Sequence, residues 1–336
     1  MDFVHITFFH GEKMGKTLIL RGIWRYNQLN MHFYKYLKSK ERVEKTMKLT
    51  ELFAKDKINL SFEVFPNKKP ENLESVKAKT AQIAALNPAF MSVTYGAGGG
   101  TSQFTLEIAK NLQDNCGVPV LAHLTGVSST KEVVAQRIEE LKAAGIENIM
   151  ALRGDLTPEM EGQDRTNWAY KYAIDLIREL KEKGDFCIGS GCYPEVHPEA
   201  ANMTEDIRFL KEKVDAGCDF LTTQLFFDND IYYNYLYKVR ESGIAVPVVP
   251  GIMPVTNAKQ MERSIQMSGS FIPKHFKAVM ERFGNNDAAM KQAGLAYATE
   301  QIIDLYANGV KTVHVYTMNN PEVAEKIMAN VKDILG

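Results

Sequence analysis

A short segment in the middle of the chain ends on two opposite charges. The apolar run from Ile146 to Met150 is followed by Ala151-Leu152-Arg153-Gly154-Asp155. A buried strand that ends in this way brings a cation and a carboxylate to one place, which favours a binding or catalytic site. The alternative is an ordinary strand-to-loop exit, in which Gly154 makes the turn and water solvates both charges.

A second carboxylate lies in the run Ser61-Phe62-Glu63-Val64-Phe65-Pro66. Side chains alternate along a strand, so Glu63 shares one face with Asn59, Ser61 and Phe65. The other face is apolar and consists of Leu60, Phe62 and Val64. We predict that Glu63 points inward among apolar neighbours, where desolvation raises its pKa. A raised pKa is what a general acid needs near neutral pH. The alternative is a glutamate paired with an internal Arg or Lys.

Hydroxyl, imidazole and amide groups follow several other apolar runs. They are found in Thr94-Tyr95, His123-Leu124-Thr125, Tyr193-Pro194-Glu195-Val196-His197, Thr222-Thr223-Gln224 and Tyr316-Thr317-Met318-Asn319-Asn320. An inward Gln224 beside aromatic residues suits hydrogen bonding to a flat heterocycle, and a core glutamine bonded to backbone is the alternative. His123 and His197 lack helical i, i+4 partners, and a metal-dependent barrel would show more His and Asp at its strand ends. We therefore predict no metal.

Composition narrows the class of protein. The 336 residues are 45% apolar and 24% charged, typical of a globular protein with a large core. A net charge of −1 argues against binding to nucleic acid or to an anionic membrane. No apolar run approaches the roughly 18 residues of a membrane span, and the start lacks a signal sequence. Four cysteines without a CxxC pair predict reduced thiols in a cytoplasmic protein.

Residues 1–46 differ from the rest of the chain. They carry nine Lys and Arg against four Asp and Glu and show no sustained periodicity. The run from Gly11 to Thr17 resembles a phosphate-binding loop, but it has three residues between its glycines where that motif has four. We predict that residues 1–46 are an extension outside the core, or sequence upstream of a start at Met47, and that 47–336 form a single catalytic domain.

From residue 58 onward, short β-branched or aromatic runs alternate with amphipathic helices. The predicted strands are 58–65, 89–95, 119–125, 146–154, 186–193, 220–227, 247–253 and 312–318. The predicted helices are 71–86, 101–112, 130–144, 168–183, 204–216, 231–242 and 321–334, with two or three more in 257–307. Eight such units predict an α/β fold of the (β/α)8 TIM-barrel type, with extra helices between strands seven and eight. In such a barrel the active site lies at the carboxyl ends of the strands. No Gly-x-Gly-x-x-Gly follows the first strand, so a Rossmann site is not supported.

Eight motifs, several of them at successive strand ends, resemble one family. They are Ser-Phe-Glu-Val-Phe-Pro, Ser-Val-Thr-Tyr-Gly-Ala, Ala-His-Leu-Thr, Ala-Leu-Arg-Gly-Asp, Tyr-Pro-Glu-Val-His-Pro-Glu-Ala, Lys-Val-Asp-Ala-Gly, Thr-Gln-Leu-Phe-Phe-Asp and Pro-Gly-Ile-Met-Pro-Val. In this order they resemble the bacterial 5,10-methylenetetrahydrofolate reductases, flavoproteins with an FAD-bearing barrel. The resemblance covers residues 58 to about 334.

The resemblance implies a reaction and a role for each matched residue. The family reduces the methylene bridge of methylenetetrahydrofolate with NAD(P)H. In a ping-pong order, NAD(P)H first reduces FAD, and the reduced flavin then gives the hydride to the folate. Glu63 occupies the general-acid position, and Asp155 matches a carboxylate that stabilises the cationic intermediate. The positions matched to FAD binding are Thr94, Tyr95, His123, Arg153, Gly154, Asp155, Ala173, Tyr193, His197, Ala200, Asp206 and Lys213. Arg153 and Lys213 are the expected diphosphate partners.

The folate positions implied by the resemblance are Gln224, Gln260 and Asn320. Some family members carry Arg in place of Asn320, so we expect a weaker contact with the folate tail here. Ser264, Phe209 and Glu212 also depart from the family pattern, which leaves affinity and reductant preference open.

Two other functions stay open at the level of sequence. One is a flavin-bearing subunit that receives electrons from a partner protein, and the other is a folate- or flavin-binding barrel without turnover. Retention of Glu63 and Asp155 speaks against the second. The family resemblance also implies a homo-oligomer.

Overall fold

The protein was analysed as a computed structural model, which describes residues 47–67, 69–96, 102–127, 129–156, 160, 162–257 and 268–336. The prediction that residues 1–46 are an extension, and the folate role predicted for Gln260, lie outside the described residues.

The described strands form one sheet of nine parallel strands. They are β1 (Asn59–Val64), β2 (Met91–Val93), β3 (Val120–Thr125), β4 (Asn148–Leu152), β5 (Cys187–Cys192), β6 (Phe220–Thr223), β7 (Val248–Val249), β8 (Gly251–Ile252) and β9 (Thr312–Tyr316). Their order is β7-β6-β5-β4-β3-β2-β1-β9-β8. The sheet curls into a nearly closed barrel, which confirms the predicted fold class.

The predicted seventh strand is present as two short strands, β7 and β8. Pro250 lies between them and has no backbone N–H to donate, so the ladder is interrupted at that residue. β7 pairs with β6, whereas β8 pairs with β9. The two halves of this interrupted strand therefore lie at the two edges of the sheet, and they bring those edges together.

Helices follow most of the strands in the predicted alternation. They are α1 (Leu49–Phe53), α2 (Leu73–Ala84), α3 (Ser102–Lys110), α4 (Lys131–Ala143), α5 (Ala173–Lys183), α6 (Met203–Asp215), α7 (Asn229–Glu241), α8 (Lys274–Phe283), α9 (Asp287–Ala307) and α10 (Pro321–Leu335). α3 continues into a π-helical turn, Asn111–Cys116. α5 begins at Ala173 rather than at Trp168, and α1 was not predicted.

Alternation along β1 divides its side chains as predicted. Leu60, Phe62 and Val64 pack in the main apolar cluster between strands and helices. Asn59 and Ser61 are buried on the opposite face, inside the barrel. A polar layer therefore forms within the barrel, below Glu63.

The short helix α1 fills the barrel toward the amino ends of the strands. Leu49 is fully buried in a cluster with Phe90, Phe220 and other inward residues. The ring of Phe53 lies against the rings of Phe90 and Phe220, with centroid distances of 6.3 and 5.0 Å. Apolar side chains therefore plug the barrel at the amino ends of its strands.

Asn148 at the start of β4 holds α1 in place. Its Oδ1 accepts from the backbone N–H of Leu49 at 2.8 Å, and its Nδ2 donates to the carbonyls of Met47 and Val120, each at 3.2 Å. The side chain is buried, so its loss leaves buried backbone groups without partners.

We expect Asn148→Ala to lower the free energy of unfolding by about 1 to 3 kcal/mol. Urea denaturation measures the change. The matched control is Asn115→Ala, since the exposed Asn115 side chain bonds only to Asn111. Equal effects of the two substitutions would contradict the role given to Asn148.

Candidate active site

Glu63 lies near the carboxyl end of β1 and faces polar groups from three other strands. Its Oε2 accepts from the Ser92 hydroxyl of β2 at 3.3 Å. The same oxygen is 3.6 Å from His123 Nε2 on β3 and 3.8 Å from His314 Nε2 on β9. The Glu63 side chain keeps 21% exposure, so it can reach a ligand bound at the mouth of the barrel.

The predicted rise in the pKa of Glu63 is wrong in this structure. Burial alone would raise it, but hydrogen bonding to His314, the charges of His123 and His314, and the Ser92 hydroxyl outweigh burial and lower the pKa. Residue types along β1 could not show this, because the histidines lie on other strands. The alternative of an internal Arg or Lys partner is also wrong for the described residues, where the partners of Glu63 are His123, His314 and Ser92.

The imidazole of His123 is buried beside Glu63. Burial lowers its pKa to about 4, although the Glu63 carboxylate acts in the opposite direction. Its Nε2 is buried and has no hydrogen-bond partner. A buried polar atom without a partner costs free energy, so this nitrogen is suited to meet a ligand atom.

A second cluster, of charged groups, lies where β4 and β5 end. Arg153 Nη1 donates to Glu199 Oε2 at 2.6 Å, and Arg165 Nη1 donates to Glu199 Oε1 at 3.2 Å. Two guanidinium groups thus share one carboxylate. The cation predicted to bind a diphosphate is paired within the protein, and Glu199 was not among the predicted site residues.

The loop after β5 carries Tyr193 and His197, whose rings meet edge to face at 4.6 Å. Val196 between them has φ +76°, a strained conformation for a β-branched residue. The backbone N–H of His197 donates to the carboxylate of Asp206 on α6 at 2.9 Å. This bond fixes the strained loop to the helix.

Charges within this cluster alter one another's pKa values. Burial and the positive charge of Arg153 lower the pKa of His197. Burial raises the pKa of Asp206, and burial lowers the pKa of Lys213. Lys213 Nζ donates to the carbonyl of Gly191 at 2.6 Å. The structure therefore brings these predicted cofactor residues into one group around the end of β5.

Gly154 makes the turn that follows β4. Its φ is +95°, and a Cβ atom there would lie 2.6 Å from Val127 Cγ1 and 3.0 Å from Thr125 Cβ. Only glycine fits this position. The turn leaves Asp155 exposed, and the negative charge of Asp155 contributes, after burial, to raising the pKa of Tyr193. The structure is thus compatible with both interpretations of the Arg153-Gly154-Asp155 segment. Gly154 makes a turn, and Arg153 and Asp155 place opposite charges at the end of β4.

Four predicted cofactor residues lie nearby on strand and helix ends. Thr94 and Tyr95 follow β2, and Thr94 donates its backbone N–H to Val64 at 3.0 Å. Ala173 is the first residue of α5, and Ala200 donates its backbone N–H to the His197 carbonyl at 2.9 Å. These are positions at the carboxyl face, as the barrel rule requires.

Two of the predicted folate residues use their side chains within the protein. Gln224 Oε1 accepts from the backbone N–H of Leu225 at 2.9 Å. Asn320 Oδ1 accepts from the N–H groups of Glu322 and Val323 at 3.1 and 3.4 Å, so Asn320 caps α10. Their contacts with folate stay predictions.

The sequence did not single out Ser92 or His314 as site residues. Both lie in predicted strands, and both are almost completely buried. Alternation along the last strand could have placed His314 on the inward face. Its position opposite Ser61 could not be predicted, because the register between two strands at opposite ends of the chain was unknown.

The described residues contain neither a candidate metal-binding cluster nor a helix that could span a membrane. No group of three or more His, Cys, Asp or Glu side chains in that part of the chain is placed to hold a metal ion. No described helix is both long and apolar enough to cross a membrane. All four cysteines are described, and they are free thiols, as predicted.

Comparison with known proteins gives consistent matches. A family model described as methylenetetrahydrofolate reductase matches residues 48–332. The chain is 36% identical over 270 residues to the 5,10-methylenetetrahydrofolate reductase of Escherichia coli (strain K12), covering 80% of this chain and 89% of that protein. It is 37% identical over 298 residues to a probable methylenetetrahydrofolate reductase (NADH) of Oryza sativa subsp. japonica. That match covers 84% of this chain and 50% of the rice protein, so the chain spans about half the length of that relative.

A solved structure shares the fold. It is that of an uncharacterized protein from Clostridium thermocellum that binds two copies of 5-methyl-5,6,7,8-tetrahydrofolic acid, with a TM-score of 0.56 and 15% identity. The match covers 84% of this chain and 97% of that one. At this identity the likeness shows the barrel fold alone.

We expect Gly154→Ala to destabilise the protein more than Gly162→Ala does. Both glycines have positive φ, but a Cβ at Gly162 meets nothing within 4 Å. The strain common to both should cost about 1 kcal/mol, and overpacking at Gly154 about 1 to 3 kcal/mol more. Urea denaturation measures the loss in free energy of unfolding for each variant. Equal losses would contradict the prediction, because they would show that Val127 and Thr125 move aside at no cost.

We also expect His123 to make the protein sensitive to acid. Its folded pKa is about 4, below the usual 6.5, so the unfolded chain binds more protons between these values. The free energy of unfolding should therefore fall by about 3 kcal/mol as the pH drops through this window. In His123→Gln this part of the fall should vanish, whereas the exposed His275→Gln should retain it. Parallel stability curves for all three proteins would contradict the prediction.

Proposed function

The chain belongs to the methylenetetrahydrofolate reductase family, and from this membership we propose that it reduces 5,10-methylenetetrahydrofolate to 5-methyltetrahydrofolate. The proposed cofactor is FAD, and the proposed electron donor is NAD(P)H in a ping-pong sequence. The observation that carries the proposal is the placement of Glu63. Its carboxyl group faces the mouth of the barrel and is contacted by Ser92 and His123 on neighbouring strands.

The overall reaction consumes one hydride and one proton. The bond between the methylene carbon and one folate nitrogen breaks, which leaves an iminium cation on the other nitrogen. The departing nitrogen takes a proton, and the methylene carbon takes the hydride to become a methyl group. When bound, FAD supplies that hydride, which it has received from NAD(P)H.

Two carboxyl groups of the chain divide the remaining chemistry. Glu63 donates the proton to the departing nitrogen, since it reaches the mouth of the barrel from β1. Asp155 stands exposed at the end of the β4 turn, where its negative charge stabilises the iminium cation. Gln224, Gln260 and Asn320 remain the proposed folate contacts.

The residues present fit a flavin nucleotide. The buried, unpartnered Nε2 of His123 offers a polar contact inside the mouth. Arg153 and Lys213 offer cations for the diphosphate, and Tyr193 offers a ring and a hydroxyl. Glu199 pairs with Arg153 through Nη1, so a bound diphosphate would either share Arg153 with this carboxylate or displace it.

The proposal extends to the domain organisation, location and assembly of the enzyme. We propose residues 47–336 as a single catalytic domain, which the family match over 48–332 supports. A cytoplasmic location is supported by the four free thiols. A homo-oligomer rests on the family resemblance.

The first test is an absorption spectrum of the purified protein, followed by anaerobic titration. NADH is the donor of choice, because plant relatives carry it in their names. We expect a flavin spectrum that bleaches on NADH and recovers on adding methylenetetrahydrofolate. A bound flavin that NADH does not bleach would support delivery of electrons by a partner protein. Absence of flavin after adding FAD would overturn the proposal.

Glu63→Gln tests the proton donor within the same assay. Flavin reduction by NADH should stay near the wild-type rate, while reoxidation by methylenetetrahydrofolate should fall by a factor of about 100 or more, because general acid catalysis is lost. Equal loss of both half-reactions would exclude the role of Glu63 as the acid.

A further inference from the structure

We propose that Glu199 exchanges partners when the flavin nucleotide binds: Arg153 passes from Glu199 to the diphosphate, and Arg165 retains Glu199. The inference rests on the proposed function, since it takes FAD as the ligand. Arg165 and Glu199 act on the cofactor through Arg153, so they are positioning residues.

Glu199 lies between the two guanidinium groups and contacts them unequally. Arg153 Nη1 donates to Oε2, at 2.6 Å. Arg165 Nη1 contacts both oxygens, at 3.2 Å from Oε1 and 3.5 Å from Oε2. If Arg153 turns away, Glu199 therefore keeps an ion pair that uses both of its oxygens.

The charge of Glu199 is stabilised by both cations. The Glu199 side chain is 38% exposed, against 20% for Arg153 and 30% for Arg165. Burial alone would raise the pKa of Glu199, but the hydrogen bonds and charges of Arg153 and Arg165 outweigh burial and lower the pKa. Glu199 is therefore ionised in the free protein, and it needs a cationic partner after Arg153 has left.

Arg165 is held in place by contacts that do not involve Glu199. The backbone N–H of Thr166 donates to Asp164 Oδ1 at 2.9 Å, and that of Trp168 donates to the Arg165 carbonyl at 3.1 Å. The guanidinium carbon lies 5.8 Å from the centre of the Trp168 ring, within the range of a cation–π contact. Arg165 can thus retain Glu199 without a further cost of ordering its own segment.

The backbone of Glu199 is also fixed. Its N–H donates to His197 Nδ1 at 3.0 Å, and the N–H of Ala200 donates to the His197 carbonyl at 2.9 Å. The exchange therefore requires rotation of two side chains, those of Glu199 and Arg153. The loop that carries His197, a proposed cofactor residue, keeps its shape.

A diphosphate is a stronger partner for Arg153 than a carboxylate, because it carries more negative charge and offers more acceptor oxygens. If Glu199 stayed on Arg153 beside a bound phosphate, two anions would lie next to each other and repel. Movement of Glu199 toward Arg165 relieves this repulsion and leaves each charge paired. Glu199 thus competes with the cofactor for Arg153, and Arg165 weakens that competition.

Opposite effects of two substitutions on the dissociation constant of FAD test the exchange. Release of FAD from the diluted holoenzyme is followed by the rise in flavin fluorescence at fixed ionic strength. Glu199→Gln removes the competitor and should lower the dissociation constant by a factor of about 5, whereas Arg165→Gln should raise it by a similar factor. Arg165→Lys keeps the charge and should stay near wild type.

The double variant distinguishes the exchange from a direct contact of Arg165 with the cofactor. Without the charge of Glu199 there is no competitor for Arg165 to hold. Arg165→Gln should therefore change the dissociation constant by less than about twofold in the Glu199→Gln protein. An equal loss of affinity in both backgrounds would show a direct contact and would overturn the exchange.

The matched control is Lys77→Gln, which removes the same charge from another ion-paired cation. Lys77 lies between Glu74 and Glu107, at 3.0 and 3.3 Å, on helices α2 and α3. Its substitution should leave the dissociation constant of FAD unchanged. If Arg165→Gln has no larger effect than Lys77→Gln, the exchange is overturned.

The exchange can fail independently of the proposed function. If wild-type protein does not bind FAD, the proposed cofactor fails, and the exchange fails with it. If wild type binds FAD but Glu199→Gln weakens the binding, Glu199 orients Arg153 rather than competing for it. That result would overturn the exchange alone.

A crystal structure of the wild-type holoenzyme tests the exchange without any substitution. We expect Arg165 and Glu199 within hydrogen-bonding distance, and Arg153 on a phosphate oxygen with its contact to Glu199 lost. Retention of the contact between Arg153 and Glu199 in the loaded protein would overturn the exchange.

Discussion

A carboxylate held inside a barrel must be compensated by its neighbours, and the arrangement of the active site follows from how Glu63 meets that requirement. Its partners come from β2, β3 and β9, and none lies next to it in the sequence. The pairing of Glu63 with Ser92 and with Tyr316 fixes the register at this level of the barrel. A shift of one residue would turn Glu63 outward into the apolar layer of Phe62 and Val64. The register of the strands therefore also determines which polar groups surround the Glu63 carboxylate.

The site divides into two regions with different physical character. Around Glu63 the groups are buried or half-buried and are joined by hydrogen bonds. Around Arg153 and Glu199 the groups are partly exposed and fully charged, and they hold one another by ion pairs. The first region suits proton transfer, and the second suits a charged cofactor. The Gly154 turn stands between them, because it follows β4 and packs on the loop after β3.

The barrel could be predicted from the sequence because its strands are continuous apolar runs with helices between them. The inward direction of Glu63 followed from alternation, and the family resemblance is confirmed by the match over 48–332. The pKa of Glu63 could not be predicted, since its direction depends on His314, some 250 residues later in the chain. The pairing of Arg153 with Glu199 and the capping by Asn320 depend on loop geometry, which periodicity does not encode. The break of the seventh strand was foreseeable from Pro250, although its role in closure was not.

The pairing of β1 with β9 also sets an order on how the protein can be made. Asn59 stands beside Thr312, 253 positions later, so the barrel cannot close before β9 has been synthesised. Until β9 leaves the ribosome, β1 has one unpaired edge, and its polar inner face has no partner. Parallel pairing over such a separation is slow and exposes the nascent chain to aggregation. β9 closes the described barrel and brings His314 beside Glu63 in one step, so a product truncated before β9 would lack both features.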